Sequence, residues 1–151
     1  MISPEKNKAF FGHPVGLSTL FASEMWERFS YYGMRALLVL FLTASFATGG
    51  FEMAELDAFT IYGIFTGLVY VTPIIGGILA DKVLGQRKTI YIGGLTMAMG
   101  QFLLAASAWL HESGANMDFR QTIFFAGLGI LILGNGFFKP NISTMVGELY
   151  D

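Results

Sequence analysis

Residues 24–33 read Glu24-Met25-Trp26-Glu27-Arg28-Phe29-Ser30-Tyr31-Tyr32-Gly33: two carboxylates, a guanidinium and two phenols in a stretch otherwise apolar enough to cross a bilayer. At about 100° of rotation per residue, Glu24, Glu27, Arg28, Tyr31 and Arg35 share a helical sector of roughly 100°, with Tyr32 at its edge. They form one polar stripe. A charge near the centre of a membrane helix costs about 2.5–3.5 kcal/mol, so the four charges from Glu24 to Arg35 would cost on the order of 10 kcal/mol against lipid. The stripe must therefore face protein or water.

Outward from this run, the composition is that of a membrane protein. Hydrophobic residues make up 54% of the chain, aromatic residues 15% and charged residues only 13%, and the mean hydropathy is +0.57. A net charge of −2 offers no basic surface for nucleic acid, and without cysteine neither a disulfide nor a thiolate metal site can form. Residues 1–16 hold Lys6, Lys8, two prolines and two glycines. They lack the apolar core and small-residue cleavage site of a signal peptide.

Four segments are long enough to span, given about 20 residues per crossing: 17–47, 58–80, 89–110 and 122–146. The expected fold class is all-α integral membrane. The connections 48–57, 81–88 and 111–121 hold the turn formers and most remaining charges. Lys6, Lys8, Lys82, Arg87 and Lys88 fall on one face, against Arg120 with Glu52, Glu55, Asp57, Glu112 and Asp118 on the other. The positive-inside rule then places both ends in the cytoplasm, although the acidic loops could simply be solvated.

At about 1.5 Å per residue, Tyr32 and Arg35 fall near mid-membrane, and Glu24 to Arg28 roughly 6–12 Å toward the cytoplasm. Lys139, about 8 Å from the middle of the fourth span, shares the depth of the acidic pair. If the first and fourth helices are neighbours, Lys139 can meet Glu24 or Glu27. Opposite charges in a dry interior hold each other ionised, and protonating the carboxylate releases the lysine. The alternative is that Lys139 snorkels to the interface.

In the second span Tyr62, Thr66, Tyr70, Pro73 and Gly77 lie within roughly 80° of one another, with Tyr70 level with Arg35; Tyr62 could instead be an interfacial anchor and Thr66 an ordinary helix residue. Gly63-x-x-x-Gly67 beside this stripe would allow close helix approach. The third span has no charge and reads as packing through Gly93, Gly94 and Gly100, with Gln101 bonding a neighbouring helix. His13 and His111 read as solvated. In the fourth span, Gly134-Asn135-Gly136-Phe137-Phe138-Lys139-Pro140-Asn141 sets a proline beside the lysine. Pro140 has no N–H and crowds the carbonyl four residues back, so a kink is expected there.

Residues 24–33, E-x-x-E-R-F-x-Y-Y-G, resemble the first-helix signature of the proton-coupled oligopeptide transporter family, within the major facilitator superfamily. Residues 134–141 resemble that family's G-x-G-x-x-K-P-N element. Gly77-Ile78-Leu79-Ala80-Asp81-Lys82-Val83-Leu84-Gly85-Gln86-Arg87-Lys88 resembles the superfamily's cytoplasmic loop, with one extra residue between Asp81 and Gly85 and lysine at Lys82 in place of arginine. This longer form is usual in the oligopeptide family. The resemblance implies that Glu24, Glu27 and Arg28 couple proton movement to transport, with Lys139 as salt-bridge partner. It implies a peptide site at Arg35, Tyr32 and Tyr70, with Tyr31, and a gate at Gly77, Asp81, Gly85, Arg87 and Lys88. A zwitterionic peptide needs a cation for its carboxylate, and phenols can bond its backbone amides.

On this resemblance the chain is read as the first four helices of an incomplete six-helix bundle, since the family has at least twelve spans in two halves. It is not expected to transport alone. The implied activity is proton-driven uptake of di- and tripeptides across the cytoplasmic membrane, with no cofactor and no metal. The partners implied are protons, short peptides, the lipid bilayer and further helices of the same transporter. Three alternatives stay open: another solute such as nitrate on the same fold; a small dimeric four-helix membrane transporter, against which Arg28, Arg35 and Lys139 weigh by repelling cationic drugs; or a non-transporting assembly subunit, in which the charged stripe would only pair helices. An enzyme is not expected, because no nucleophile–base pair, metal-ligand cluster or phosphate loop appears.

Overall fold

The computed structural model describes residues 8–150; Lys6 and Asp151 lie outside them. Four helices carry the fold: α1 (Val15–Thr43), α2 (Glu55–Leu79), α3 (Gln86–Trp109) and α4 (Met117–Glu148). A short antiparallel pair, β1 (Lys8–Phe10) and β2 (His13–Pro14), precedes α1 and was not anticipated from the sequence. Helices α2, α3 and α4 are long and apolar enough to cross a membrane. Helix α1, at 29 residues, has the length. Its charges at Glu24, Glu27, Arg28 and Arg35 keep it out of that class.

The helix ends differ from expectation in ways that move side chains. Helix α1 runs from Val15 to Thr43 rather than over 17–47, so its middle is Phe29 instead of Tyr32. Helix α2 begins at Glu55, with Glu55 and Asp57 in its first turn, where the helix dipole favours acids. Helix α4 begins at Met117 instead of 122, because the Asn116 side chain caps it by accepting from the Phe119 N–H at 2.8 Å. The extra residue between Asp81 and Gly85 is absorbed as a π-turn over Ala80–Leu84, closed by the Gly85 N–H on the Ala80 carbonyl at 2.9 Å. Gly85, at φ +76°, then turns the chain into α3.

Helix α4 is the axis of the bundle, packed closely on α3 and α2 through glycines. A Cβ on Gly93 would come within 2.7 Å of the Phe138 nitrogen, and one on Gly134 within 2.7 Å of the Met97 nitrogen. Pro140 cannot supply the N–H that the Gly136 carbonyl would otherwise receive. That oxygen lies against Gly76 of α2, where a Cβ would sit 2.0 Å from it. One turn away, the Thr72 hydroxyl donates across to the Ile132 carbonyl at 3.1 Å. The close approach expected at Gly63 and Gly67 is not made, since a Cβ at either would meet nothing within 4 Å; both face outward from the described helices.

Because backbone, and no flexible side chain, stands where the Gly76→Ala methyl would go, the two helices must separate. The expected loss is about 1–3 kcal/mol, read as a lower midpoint of thermal unfolding in detergent. An unchanged midpoint would show that α2 does not depend on this crossing.

The outer end of the bundle is built around a buried arginine. Counted from sequence as a loop charge, Arg120 is instead fully buried in the first turn of α4. Its Nε donates to the Ser107 carbonyl at 3.0 Å, its Nη2 to the Gly49 carbonyl, and its Nη1 meets His111 Nδ1 at 3.3 Å. Its guanidinium lies over the Phe51 ring, 5.4 Å from the centroid. Phe51 packs with Phe41 and Phe124, fastening the 44–54 connection to α1 and α4. His111 is thus half-buried and engaged, contrary to the solvated reading. His13 is exposed, as expected, yet its Nδ1 lies 2.9 Å from the Tyr150 hydroxyl.

Candidate functional site

The stripe on α1 meets α4 at Glu27. This carboxylate is buried, at 7% exposure, and its Oε1 accepts from the Asn135 side-chain amide of α4 at 2.8 Å. Its Oε2 lies 3.5 Å from Arg28 Nε, and Arg28 Nη2 donates to Glu24 Oε1 at 3.3 Å. A guanidinium shared by two carboxylates leaves one negative charge over.

Contact between Lys139 and a carboxylate, expected from sequence, is not made in this structure: the ion pairs of Glu24 and Glu27 among the described residues are with Arg28. Lys139 Nζ instead lies over the Tyr70 ring, 5.0 Å from its centroid. The helices are antiparallel, so with Glu27 at the level of Asn135, Lys139 stands about one turn further on, level with Glu24.

The residues expected at the peptide site are divided. Arg35 Nε donates to the Tyr62 hydroxyl, with the guanidinium 5.0 Å from that ring's centroid. Tyr62 is therefore a partner of Arg35 and not an interfacial anchor. Tyr31 stacks on Phe65 at 6.3 Å and meets Tyr32 edge-on at 5.4 Å. Tyr70, expected level with Arg35, lies eight residues or about 12 Å beyond Tyr62 along α2. The offset follows from α1, whose middle is Phe29, so that Arg35 sits further toward the outer end. Tyr32 and Tyr70 are exposed on the described surface.

Among the four helices is a cavity of about 940 Å³, lined chiefly from α1, α3 and α4, by Glu27, Ser30, Tyr31, Gln101, Asn135 and Phe138 among others. Gln101 reaches from α3 to α1, donating to the Ser30 hydroxyl at 3.0 Å, which is the interhelical bond expected of it. One buried atom on this lining, Asn135 Oδ1, has no partner among the described residues.

At the other end of α2, Asp81, Gly85, Arg87 and Lys88 border a second depression of about 530 Å³ with Met145 and Glu148 of α4. Gly77 lies beside the Pro140 ring, 3.8 Å from where a Cβ would stand. Asp81 makes no ion pair among the described residues.

Asn135 was not singled out from the sequence, although one signal was there. An amide four residues before Lys139 shares its face in an otherwise apolar helix.

The family model described as "POT family" matches residues 87–151. The first-helix stripe lies outside that match but within the longer alignments. The chain is 46% identical over 143 residues to the peptide transporter YePEPT of Yersinia enterocolitica subsp. palearctica serotype O:3 (strain YE-P4), covering 95% of this chain and 26% of that protein. The chain belongs to the POT family. Another relative, a di-/tripeptide transporter of Lactococcus lactis subsp. lactis (strain IL1403), is 44% identical over 145 residues, with 95% of this chain and 27% of that one covered.

Among solved structures, the peptide transporter POT in complex with sulfate superposes with a TM-score of 0.84 at 38% identity, covering all of this chain and 30% of that one. A POT family transporter in complex with 5-aminolevulinic acid gives 0.85 at 35% identity, covering 96% of this chain and 28% of that one. This POT chain therefore spans about a quarter of the length of the curated relatives it matches. Its four helices are the first four of a major facilitator superfamily fold, in a multi-pass membrane protein.

Proposed function

We propose that this chain is part of a proton-coupled importer of di- and tripeptides in the cytoplasmic membrane, supplying helices 1 to 4 of a six-helix half, with both ends in the cytoplasm. The observation that carries the reading is Glu27: a carboxylate buried in a membrane helix beside a cavity, held by one amide donor and a guanidinium it shares with Glu24. Such a group stays charged only while its partners hold it, and gaining a proton frees Arg28. Named relatives that are peptide transporters support the substrate class.

In this reading Glu24, Glu27, Arg28 and Lys139 exchange partners as the proton enters and leaves. Lys139 is held over Tyr70 in this structure and is level with Glu24. Arg35, fixed by Tyr62, is the cation for the peptide carboxylate, with Tyr31, Tyr32 and Tyr70 as phenol donors and ring surfaces. Asp81, Gly85, Arg87 and Lys88 work as the cytoplasmic gate, hinged where Gly77 meets Pro140.

The test is uptake of a labelled dipeptide by the full-length transporter containing this chain, reconstituted in vesicles with and without an inward proton gradient. Uptake that requires the gradient, and is inhibited by unlabelled tripeptide, is expected. Gradient-driven uptake of nitrate with no peptide uptake would replace the substrate. Arg35→Ala removes a charge-assisted hydrogen bond worth about 1.5–3 kcal/mol. The peptide concentration for half-maximal exchange should therefore rise by roughly ten- to a hundredfold. An unchanged concentration dependence would remove Arg35 from the site.

A further inference from the structure

We infer that Asn135 is a positioning residue for Glu27 that serves both protonation states of the carboxyl, donating to it when charged and accepting from it when protonated. The inference rests on the reading of Glu27 as a proton carrier and adds a residue to it.

A carboxylate can only accept, so in the charged state the amide nitrogen of Asn135 must face it, as it does at 2.8 Å. The other half of the amide is left over. Asn135 is 4% exposed, and its Oδ1 is buried with no donor among the described residues. A buried acceptor left unpaired costs about 1–3 kcal/mol, which makes it an unusual companion for a group so well placed on the other side.

That leftover acceptor is what a protonated Glu27 would need. Once Oε1 carries a hydrogen it becomes a donor, and the Asn135 N–H pointing at it cannot accept that hydrogen. Rotation of the amide by about half a turn around its last torsion, which is broad and roughly two-fold in asparagine, presents Oδ1 in place of Nδ2. The cavity beside the pair leaves room for the turn. In the step, a proton taken up from water adds to Oε1, the N–H···Oε1 hydrogen bond is exchanged for an O–H···Oδ1 one, and no covalent bond of Asn135 is broken.

The charged groups around the pair are few. Helix α1 supplies Glu24 and Arg28, and α4 supplies Lys139; the α2 phenol Tyr70 lies against Lys139 and not against Glu27. On the α3 side the lining holds Met97, Gln101 and Phe102 with small residues, and no ionisable group. Among the described residues, then, Asn135 is the neutral hydrogen-bonding partner of Glu27.

The test is the pH profile of gradient-driven uptake by the full-length transporter, compared for wild type, Asn135→Leu, Asn135→Ser and Asn135→Gln, with gradient-free substrate exchange as the measure of folding. Leucine is nearly isosteric but neither donates nor accepts, and serine fits any site that asparagine fits but is too short to reach Glu27. The donor to the charged state is the stronger of the two bonds lost. Both variants should therefore keep exchange while their uptake profile moves toward alkaline pH by on the order of one unit. Glutamine, keeping both halves of the amide, should restore the wild-type profile.

If Asn135→Leu does not fold, the serine variant decides. An unmoved profile in a variant that exchanges normally overturns the role of Asn135, as does a shifted profile that glutamine fails to restore. Glu27→Gln, run alongside, separates the two levels: if it leaves gradient-driven uptake intact, the proton-carrier reading itself fails, and the Asn135 inference with it.

Discussion

Glu27→Gln in the full-length transporter is expected to reduce gradient-driven peptide uptake to the level seen without a gradient, while peptide exchange survives. Glutamine occupies the same volume and its carbonyl can still accept from Asn135, so packing between α1 and α4 is retained. What is lost is a group that can gain and release a proton. Arg28 would keep only Glu24, to which it already donates at 3.3 Å. Glu24→Gln and Lys139→Ala should likewise uncouple uptake from the gradient, with exchange surviving better in at least one of the three. Unchanged gradient-driven uptake in all three overturns the coupling assignment.

Arg120→Leu is expected to be the most destabilising substitution at the outer end, by about 2–5 kcal/mol. Two effects oppose each other. Leucine relieves the cost of burying a guanidinium that has no carboxylate partner among the described residues, and by itself that change could be neutral or favourable. Against it, the carbonyls of Ser107 and Gly49 lose their donor in a buried position, at about 1–3 kcal/mol each. Ser107 lies in the last turn of α3, where carbonyls have no helical partner and the dipole favours a cation.

The losses exceed the relief. Arg120→Lys keeps the charge but has no rigid fork to reach Ser107, Gly49 and His111 together, so it should recover less than half of the stability. The unfolding midpoint in detergent and protease sensitivity of the 44–54 connection would report both. Wild-type midpoints in both variants would show that the arginine is not what fastens this end.

How far the sequence could be read depended on the kind of signal. Each apolar run is long enough to be recognised on its own, so the helices were legible; their ends were not, because they are set by local bonds such as the Asn116 cap and the π-turn at Ala80–Leu84. Five residues at the start of α4 were enough to hide Arg120. Read as part of a loop it is a topological charge, and read as the fourth residue of a capped helix it faces the core. The shift of the middle of α1 from Tyr32 to Phe29 similarly moved Arg35 from Tyr70 to Tyr62.

By itself the sequence determined that this is a membrane protein of apolar helices, and that charges on one face of the first cannot be left against lipid. Those conclusions need only composition, span length and the 3.6-residue period, all local quantities. Only the tertiary structure decided which groups meet those charges: Asn135, 108 residues along the chain, at Glu27; Tyr62, 27 residues along, at Arg35; and Tyr70, in place of a carboxylate, under Lys139. The physical reason is that partner choice depends on the axial offset and rotation between neighbouring helices. Among α2, α3 and α4 these are set by backbone contacts at Gly76, Gly93, Gly134 and Gly136, and a shift of a single turn, about 5.4 Å, exchanges one partner for another.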